Sequence, residues 1–544
     1  MGRAVLFRGG TVFDGHRYVG RADVLVDGGR VVEVGLGGFE AHAPGRLRTS
    51  DTEVVEVTGL LAPGFTDAHV HPIQGGLERL RCDLSGLETR EEYLAAVRAY
   101  ADSHPDAEWI LGGGWAMPAF PGGTPLAADL DSVVPDRPVF LPNRDHHGAW
   151  VNSRALEIAG VTRETPDPPD GRLERDPDGH PSGTLHEDAT ALVSRYLPRT
   201  TGADYRAALL AGQEYLHSLG VTSWQDAIVG SYSGMDDPAS TYLAAAESGE
   251  LRSHVVGALW WDRRLGIEQV PDLVGRREAL TRGRFHATTV KVMQDGVAEN
   301  GTAAMLEPYL DRCGHATDNR GHSFLEAERL GEAVRALDAA LFQVHVHAIG
   351  DRGVRETLDA FDGLEEKDLR HHIAHLQLVH PDDVPRFAEL GVAANIQAVW
   401  ACYDDQMVDL TIPFLGEERA RWQYPFGAIH HAGGRLVAGS DWPVSTPDPL
   451  AAIHTAVTRT AYGDPSRAGT DPFLPEQSVA LETAFAAYTS GSAWANHRDD
   501  AGVVEPGAVA DLVVLDRDPF AGPPEEIGAA RVVSTWIDGE PVHN

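Results

Sequence analysis

Lysine is nearly missing from this 544-residue chain: Lys291 and Lys367 are its two lysines among 45 basic residues, and the rest are arginine. Cysteine is scarce too. Cys82, Cys313 and Cys402 stand far apart and form no CxxC pair, which excludes a disulfide framework or a thiolate metal site and suits a reducing compartment. No run approaches the roughly 18 apolar residues of a membrane-spanning helix. The opening "MGRAVLFRGGTVFDG" lacks the long apolar segment of a signal peptide. No block of basic residues occurs, and 81 acidic residues leave a net charge of −36. Such a surface repels nucleic acid and anionic membranes. Neither GxGxxG after a strand nor GxxxxGK[ST] is found, so dinucleotide and P-loop chemistry have no support. The expectation is a cytoplasmic protein with a small-molecule substrate, no nucleic-acid or membrane partner and, on base rates, a homodimeric state.

The pattern that is present divides the chain. At the N-terminal end, "AVLFRGGTVFDG" and "ADVLVDGGRVVEVG" read as short strands joined by tight turns, and "ADLVVLD" and "ARVVSTWIDGEPV" repeat that texture at the other end. The two ends, 1–58 and 496–544, are expected to close into one β-domain. Between them strand-like and helix-like runs alternate, as in "EAERLGEAVRALDAA" followed by "FQVHVHAIGD". Repeated units of this kind imply a parallel sheet, either a barrel or a doubly wound fold. They are assigned to 59–82 and 201–495. From 83 to 200 the rhythm weakens into Gly- and Pro-rich stretches such as "LGGGWAMPAFPGGTP", read as an inserted subdomain with long loops.

Histidines gather at strand ends. In "LLAPGFTDAHVHP", His69 and His71 share a strand face and can present two imidazoles to one ion. In "FQVHVHAIGD", His347 stands nearer the strand's C-terminal end, where barrel sites lie. In "RHHIAHLQLVHP", His371 and His375 are placed on one face, and His375 is the later of the two. Asp441 ends the apolar run in "RLVAGSDWPV", and Lys291 sits inside the β-branched run "TTVKVMQDG". His69, His71, Lys291, His347, His375 and Asp441 together can bind two divalent ions, with Zn²⁺ the default for such a nitrogen and oxygen set. His345, His371 and Asp67 are read as residues that orient these from behind or pack. Trp115, Phe120, Asp145, His146, His147 and Trp150 of the insertion, with Gln397, Trp400 and Trp442 of the barrel loops, are the candidate substrate contacts.

In order along the chain, "PGFTDAHVHP", "VKVMQDGVAENGTAAMLEPY", "HVHAIGDRG", "RHHIAHLQLV" and "GSDWPV" resemble the metal motifs of the amidohydrolase superfamily, in its amidohydrolase family 3 or YtcJ-like branch. The resemblance covers nearly the whole chain. It implies an α/β fold, a distorted (β/α)8 TIM barrel with a composite β-sandwich from both termini. It also implies a metal-dependent hydrolase in which His69, His71, His347, His375 and Asp441 are ligands. Lys291 then becomes a carbamylated, CO2-derived bridge between two Zn²⁺ ions, with Asp441 the general base and acid. The substrate read from it is an amide, an N-substituted formamide or a cyclic amide. An ester, carbamate or phosphoryl hydrolase and a catalytically silent binding protein remain as alternatives, because fold does not choose the chemistry.

Overall fold

The computed structural model describes residues 4–37, 52–232, 235–365, 367–463 and 471–544. Eight parallel strands form the central sheet: β1 (Phe65–Val70), β2 (Val221–Val229), β3 (His254–Trp260), β4 (Phe285–Met293), β5 (Gln343–Ala348), β6 (His372–His375), β7 (Ala393–Ile396) and β8 (Leu436–Ala438). They lie side by side in chain order. The ends of the row meet at a seam just past β8. Asp441 N donates to His69 O at 2.7 Å, and Ser440 N donates to the Asp67 carboxylate at 3.0 Å. Gly439 makes this approach feasible, because a Cβ there would lie 2.6 Å from His69 N. The result is a nearly closed barrel.

Period-two alternation explains what each strand does. In β5, Val344, Val346 and Ala348 join the apolar layer under the helices Ala327–Ala339 and Asp351–Phe361, which contribute Leu330, Val334, Leu337, Val354 and Leu358. Burying each such aliphatic side chain contributes about 1.5–3 kcal/mol. The alternate residues Gln343, His345 and His347 turn to the barrel axis, where the neighbours are polar. The barrel interior is therefore held by hydrogen bonds and its outside by apolar burial.

Both chain ends build one nine-stranded sheet, as the turn-rich texture predicted. Leu60–Pro63 pairs antiparallel with Leu512–Leu515, with Leu61 opposite Val514. This strand carries the terminal sheet past residue 58. Tyr18–Asp27 pairs with both Val5–Arg8 and Thr11–Phe13 and links two halves that share one core. Across that core Phe7 meets Trp536 edge-on, with ring centroids 5.1 Å apart. The inserted segment has a six-stranded sheet of its own, with Cys82–Asp83 at one edge and Gly171–Arg175 at the other. Trp115, Trp150, Phe120 and Tyr93 pack together beside it. The barrel resumes at the helix Gly202–Ser218, which starts on a reciprocal Thr201–Asp204 cap. The three cysteines are free, and among the described residues no helix is long and apolar enough to cross a membrane.

Candidate metal centre

The C-terminal ends of the barrel strands bring all six candidate ligands together. His69 Nε2 and His71 Nε2 lie 3.1 and 3.0 Å from Asp441 Oδ1. Lys291 Nζ is 3.4 Å from His69 Nε2, and His375 Nδ1 is 3.9 Å from Asp441 Oδ2. The ring of His375 stands 4.4 Å from that of His347 and 4.8 Å from that of His69, centroid to centroid. All but His71 are buried. Burial pushes the His69 imidazole down to about 3, with Lys291 adding to the effect, and holds His345, His347 and His375 well below the ordinary histidine range. Burial also lowers the Lys291 ammonium to about 7, against the pull of Asp441. These imidazoles are neutral at pH 7, so each has one nitrogen with a free lone pair.

Which nitrogen that is can be followed from the barrel floor. Gln343 Nε2 donates to two backbone carbonyls, Arg370 O at 2.8 Å and Ala495 O at 2.7 Å, and this fixes its amide. Its Oε1 therefore accepts, from Thr289 and from Gln225 Nε2. Gln225 must then turn Oε1 to His345 Nδ1, 2.7 Å away, which donates. That leaves His345 Nε2 to accept from His69 Nδ1 at 2.9 Å. His69 Nε2 thus carries a lone pair, and it faces a carboxylate oxygen at 3.1 Å. Two acceptors at that distance repel unless a cation lies between or beside them, and the neighbouring Lys291 amine, lowered to about 7, is only partly a cation at neutral pH. His375 Nδ1 is likewise buried with no hydrogen-bond partner. His347 Nε2 donates to Gly296 O at 3.3 Å, which frees its Nδ1. The donor set fits a divalent ion held by imidazole and carboxylate. A Gln225→Leu protein should keep its fold and lose about 10- to 100-fold in zinc affinity, as partners of metal-binding histidines usually do. Competition with a chromophoric chelator reads this directly, and unchanged affinity would remove Gln225 from the relay.

A cavity of about 780 Å³ opens over these residues, between the barrel loops and the insertion. His147 of the insertion reaches the site, its ring centroid 5.8 Å from that of His347. Glu187 lies 3.0 Å from its Nδ1 and, overcoming the effect of burial, raises the imidazolium to about 9. Thr302, on the loop after β4, donates to the same carboxylate and ties insertion to barrel. His146 accepts from Gln74 Nε2 at 2.7 Å and stands 3.1 Å from Glu78 Oε1. Four cavity residues, His146, His375, Tyr424 and Asp441, have left-handed backbone, with φ of 62°, 80°, 46° and 57°. Such conformations cost about 1–3 kcal/mol each and persist where surrounding packing over-determines them.

The placement of the expected contacts is mixed. Asp145, His146, His147, Trp400 and Trp442 line the cavity, and Trp400 stacks on His375. Trp115 does not: it is buried in the insertion core and donates Nε1 to Leu141 O. Trp150 is buried there too, and Phe120 packs against both. Gln397 lies behind the site, where its Oε1 accepts from His375 N and its Nε2 donates to Asn395. His371 does not share the face of His375. It packs on Phe361 outside the barrel, because left-handed turns at His375 and Leu376 break the alternation of β6. Sequence reading passed over Gln225, Glu187 and Glu299. Glu187 stands in "GTLHEDA" and Glu299 in the stretch after Lys291, and neither is marked out by spacing.

Comparison with known proteins agrees with this geometry. A sequence profile described as "Amidohydrolase family" matches residues 58–543. The Bacillus subtilis protein YtcJ is 28% identical, covering 94% of this chain and 94% of its own. The N-substituted formamide deformylase of Arthrobacter pascens is 28% identical, over 95% of this chain and 94% of the relative. Among solved structures, an uncharacterized metal-dependent hydrolase from Pyrococcus furiosus is 26% identical with a TM-score of 0.67, covering 95% of this chain and 100% of its own.

Proposed function

This chain belongs to the amidohydrolase family, and on that premise we propose that it hydrolyses a carbon–nitrogen bond in a small molecule, such as an amide, an N-substituted formamide or a cyclic amide. The observation that carries the metal-dependent part is the pair of facing acceptors, His69 Nε2 and Asp441 Oδ1, at 3.1 Å beneath an open cavity. The related N-substituted formamide deformylase supports the choice of bond.

His69, His71, His347, His375 and Asp441 would hold divalent metal, with zinc as the proposed ion. When bound, the metal lowers the pKa of water in the site to about 7 and polarises the acyl carbonyl. Asp441 stands at the barrel mouth. It takes the proton of the attacking water as the C–O bond forms, then gives it to the leaving nitrogen as the C–N bond breaks. Amide and water become carboxylic acid and amine, with no other reactant. Lys291 is buried, and among the described residues no carboxylate lies within ion-pair distance of it, although Asp441 acts on it from farther off. Its free amine can add to CO2 and release one proton, which would turn a neutral nitrogen into a carbamate able to hold divalent metal through oxygen. Trp400 and Trp442 wall the cavity and limit the water beside the reacting bond.

The test uses purified full-length protein. Zinc loading should give about two metal equivalents, the number a carbamate bridge would join. A panel of N-formyl, N-acyl and cyclic amides should then include at least one turned over by the loaded protein, with activity lost to a chelator and restored by metal. Less than about one equivalent would remove the metal from the reading. Hydrolysis confined to esters or carbamates would remove the C–N bond from it.

A further inference from the structure

The cavity over the candidate ligands also holds an acidic group that the mechanism above does not use: the loop after β4 presents Glu299, a half-buried carboxylate in the cavity wall. Its Oε1 accepts from Thr411 Oγ1 at 2.9 Å and, at 3.4 Å, from Gln377 Nε2. Among the described residues no Lys, Arg or His lies within ion-pair distance of it.

This position is built. Thr411 closes a π-helical turn, Gln406–Thr411, a local geometry that often marks functional positions. The same turn brings Met407 to the cavity wall. Tyr424, held in a left-handed conformation, lines the same cavity, and burial together with the nearby Glu299 keeps its phenol neutral. Trp400, stacked on His375, adds a second aromatic ring to the lining. Asp145 repels Glu299, and burial and Asp145 together raise its carboxyl above the usual range. A carboxylate fixed by neutral donors, backed by aromatic rings and left without a counter-ion is suited to a group that brings its own positive charge.

We infer that Glu299 is the recognition residue for a cationic nitrogen of the substrate, so that the amide cleaved at the barrel mouth belongs to a molecule carrying an ammonium or amidinium group. This rests on the carbon–nitrogen reading above and narrows it to one substrate class. The cation pairs with Glu299 and lies against Tyr424 and Trp400. The scissile bond then extends towards Asp441.

The test separates recognition from catalysis. Phenethylammonium chloride and the neutral phenethyl alcohol are titrated into full-length protein and binding is read by calorimetry. The wild type should bind the ammonium compound at least ~10-fold more tightly, the low end for a hydrogen-bonded charge. Glu299→Gln should erase that preference and leave the alcohol unaffected. Thr411→Val, which removes only the anchor, should reduce it in part and serves if the Gln variant does not fold. Equal binding of the two compounds to the wild type, or a preference that survives Glu299→Gln, would overturn the inference. Those outcomes are reached whether or not any amide is cleaved, so a failure of the hydrolytic reading shows separately. In the substrate panel, amides with an ammonium tail should exceed hydroxyl-tailed partners in kcat/KM by a similar factor. That excess should fall in Glu299→Gln.

Discussion

An Asp441→Asn protein should fold, keep most of its metal and turn over at least ~10²-fold more slowly, the low end for a positioned acid–base group. Asn is the informative choice for a backbone reason. Asp441 has φ of 57°, in the left-handed region, and Asn is among the few residues that adopt it readily. An Ala substitution would mix backbone strain with lost chemistry. The Asn carboxamide keeps one oxygen where Oδ1 meets His69 and His71, but it cannot take up a proton at pH 7. Turnover and metal content measured together make the distinction. Near-normal turnover would take Asp441 out of the proton-transfer role. Loss of metal in step with turnover would make it a ligand and nothing more.

Lys291→Arg should have the other large effect: about one metal equivalent lost, and turnover down by about 10³-fold, the equivalent of several kcal/mol of lost charge stabilisation. Lys291 lies at the end of β4, buried, with Nζ 3.4 Å from His69 Nε2. Burial lowers its pKa to about 7, so a sizeable fraction of the amine is free base near neutrality. A guanidinium in this place stays protonated and forms no carbamate. It would set a fixed positive charge against the ions. A smaller residue offers a complementary check: Lys291→Ala with added acetate or propionate should recover part of the activity, because the carboxylate can occupy the vacated space. Full metal content and wild-type turnover in the Arg protein would dispose of the bridging role.

The residues that converge at the barrel mouth were legible because strand periodicity and strand ends are local properties. His69 and His71 are two apart, and His347 and Asp441 close apolar runs. The rarity of lysine singled out Lys291 by composition alone. His371 and His375 went wrong for an equally local reason: alternation was carried through a left-handed turn that side-chain pattern does not reveal. The insertion was harder. Its strands are short and rich in Gly and Pro, so its sheet and its buried Trp115 read as loop and as a cavity aromatic. Gln225 is the clearest case of what a linear reading misses. Nothing in "VTSWQDA" sets that glutamine apart. Its importance comes from partners on β5, β6 and the segment before the C-terminal strands.

The seam between β1 and β8 also bears on how the protein is made. His71 and Asp441 meet across 370 residues of chain, and Asp441 N is held by His69 O. Contacts of such sequence separation form late and slowly, because the entropy of closing the loop precedes any reward. A chain emerging from the ribosome therefore presents its histidines long before the carboxylate that completes the site exists. The meeting of His69 and His71 with Asp441 is therefore among the last features the folding chain can acquire, so the barrel mouth is finished only when its eighth strand closes on its first.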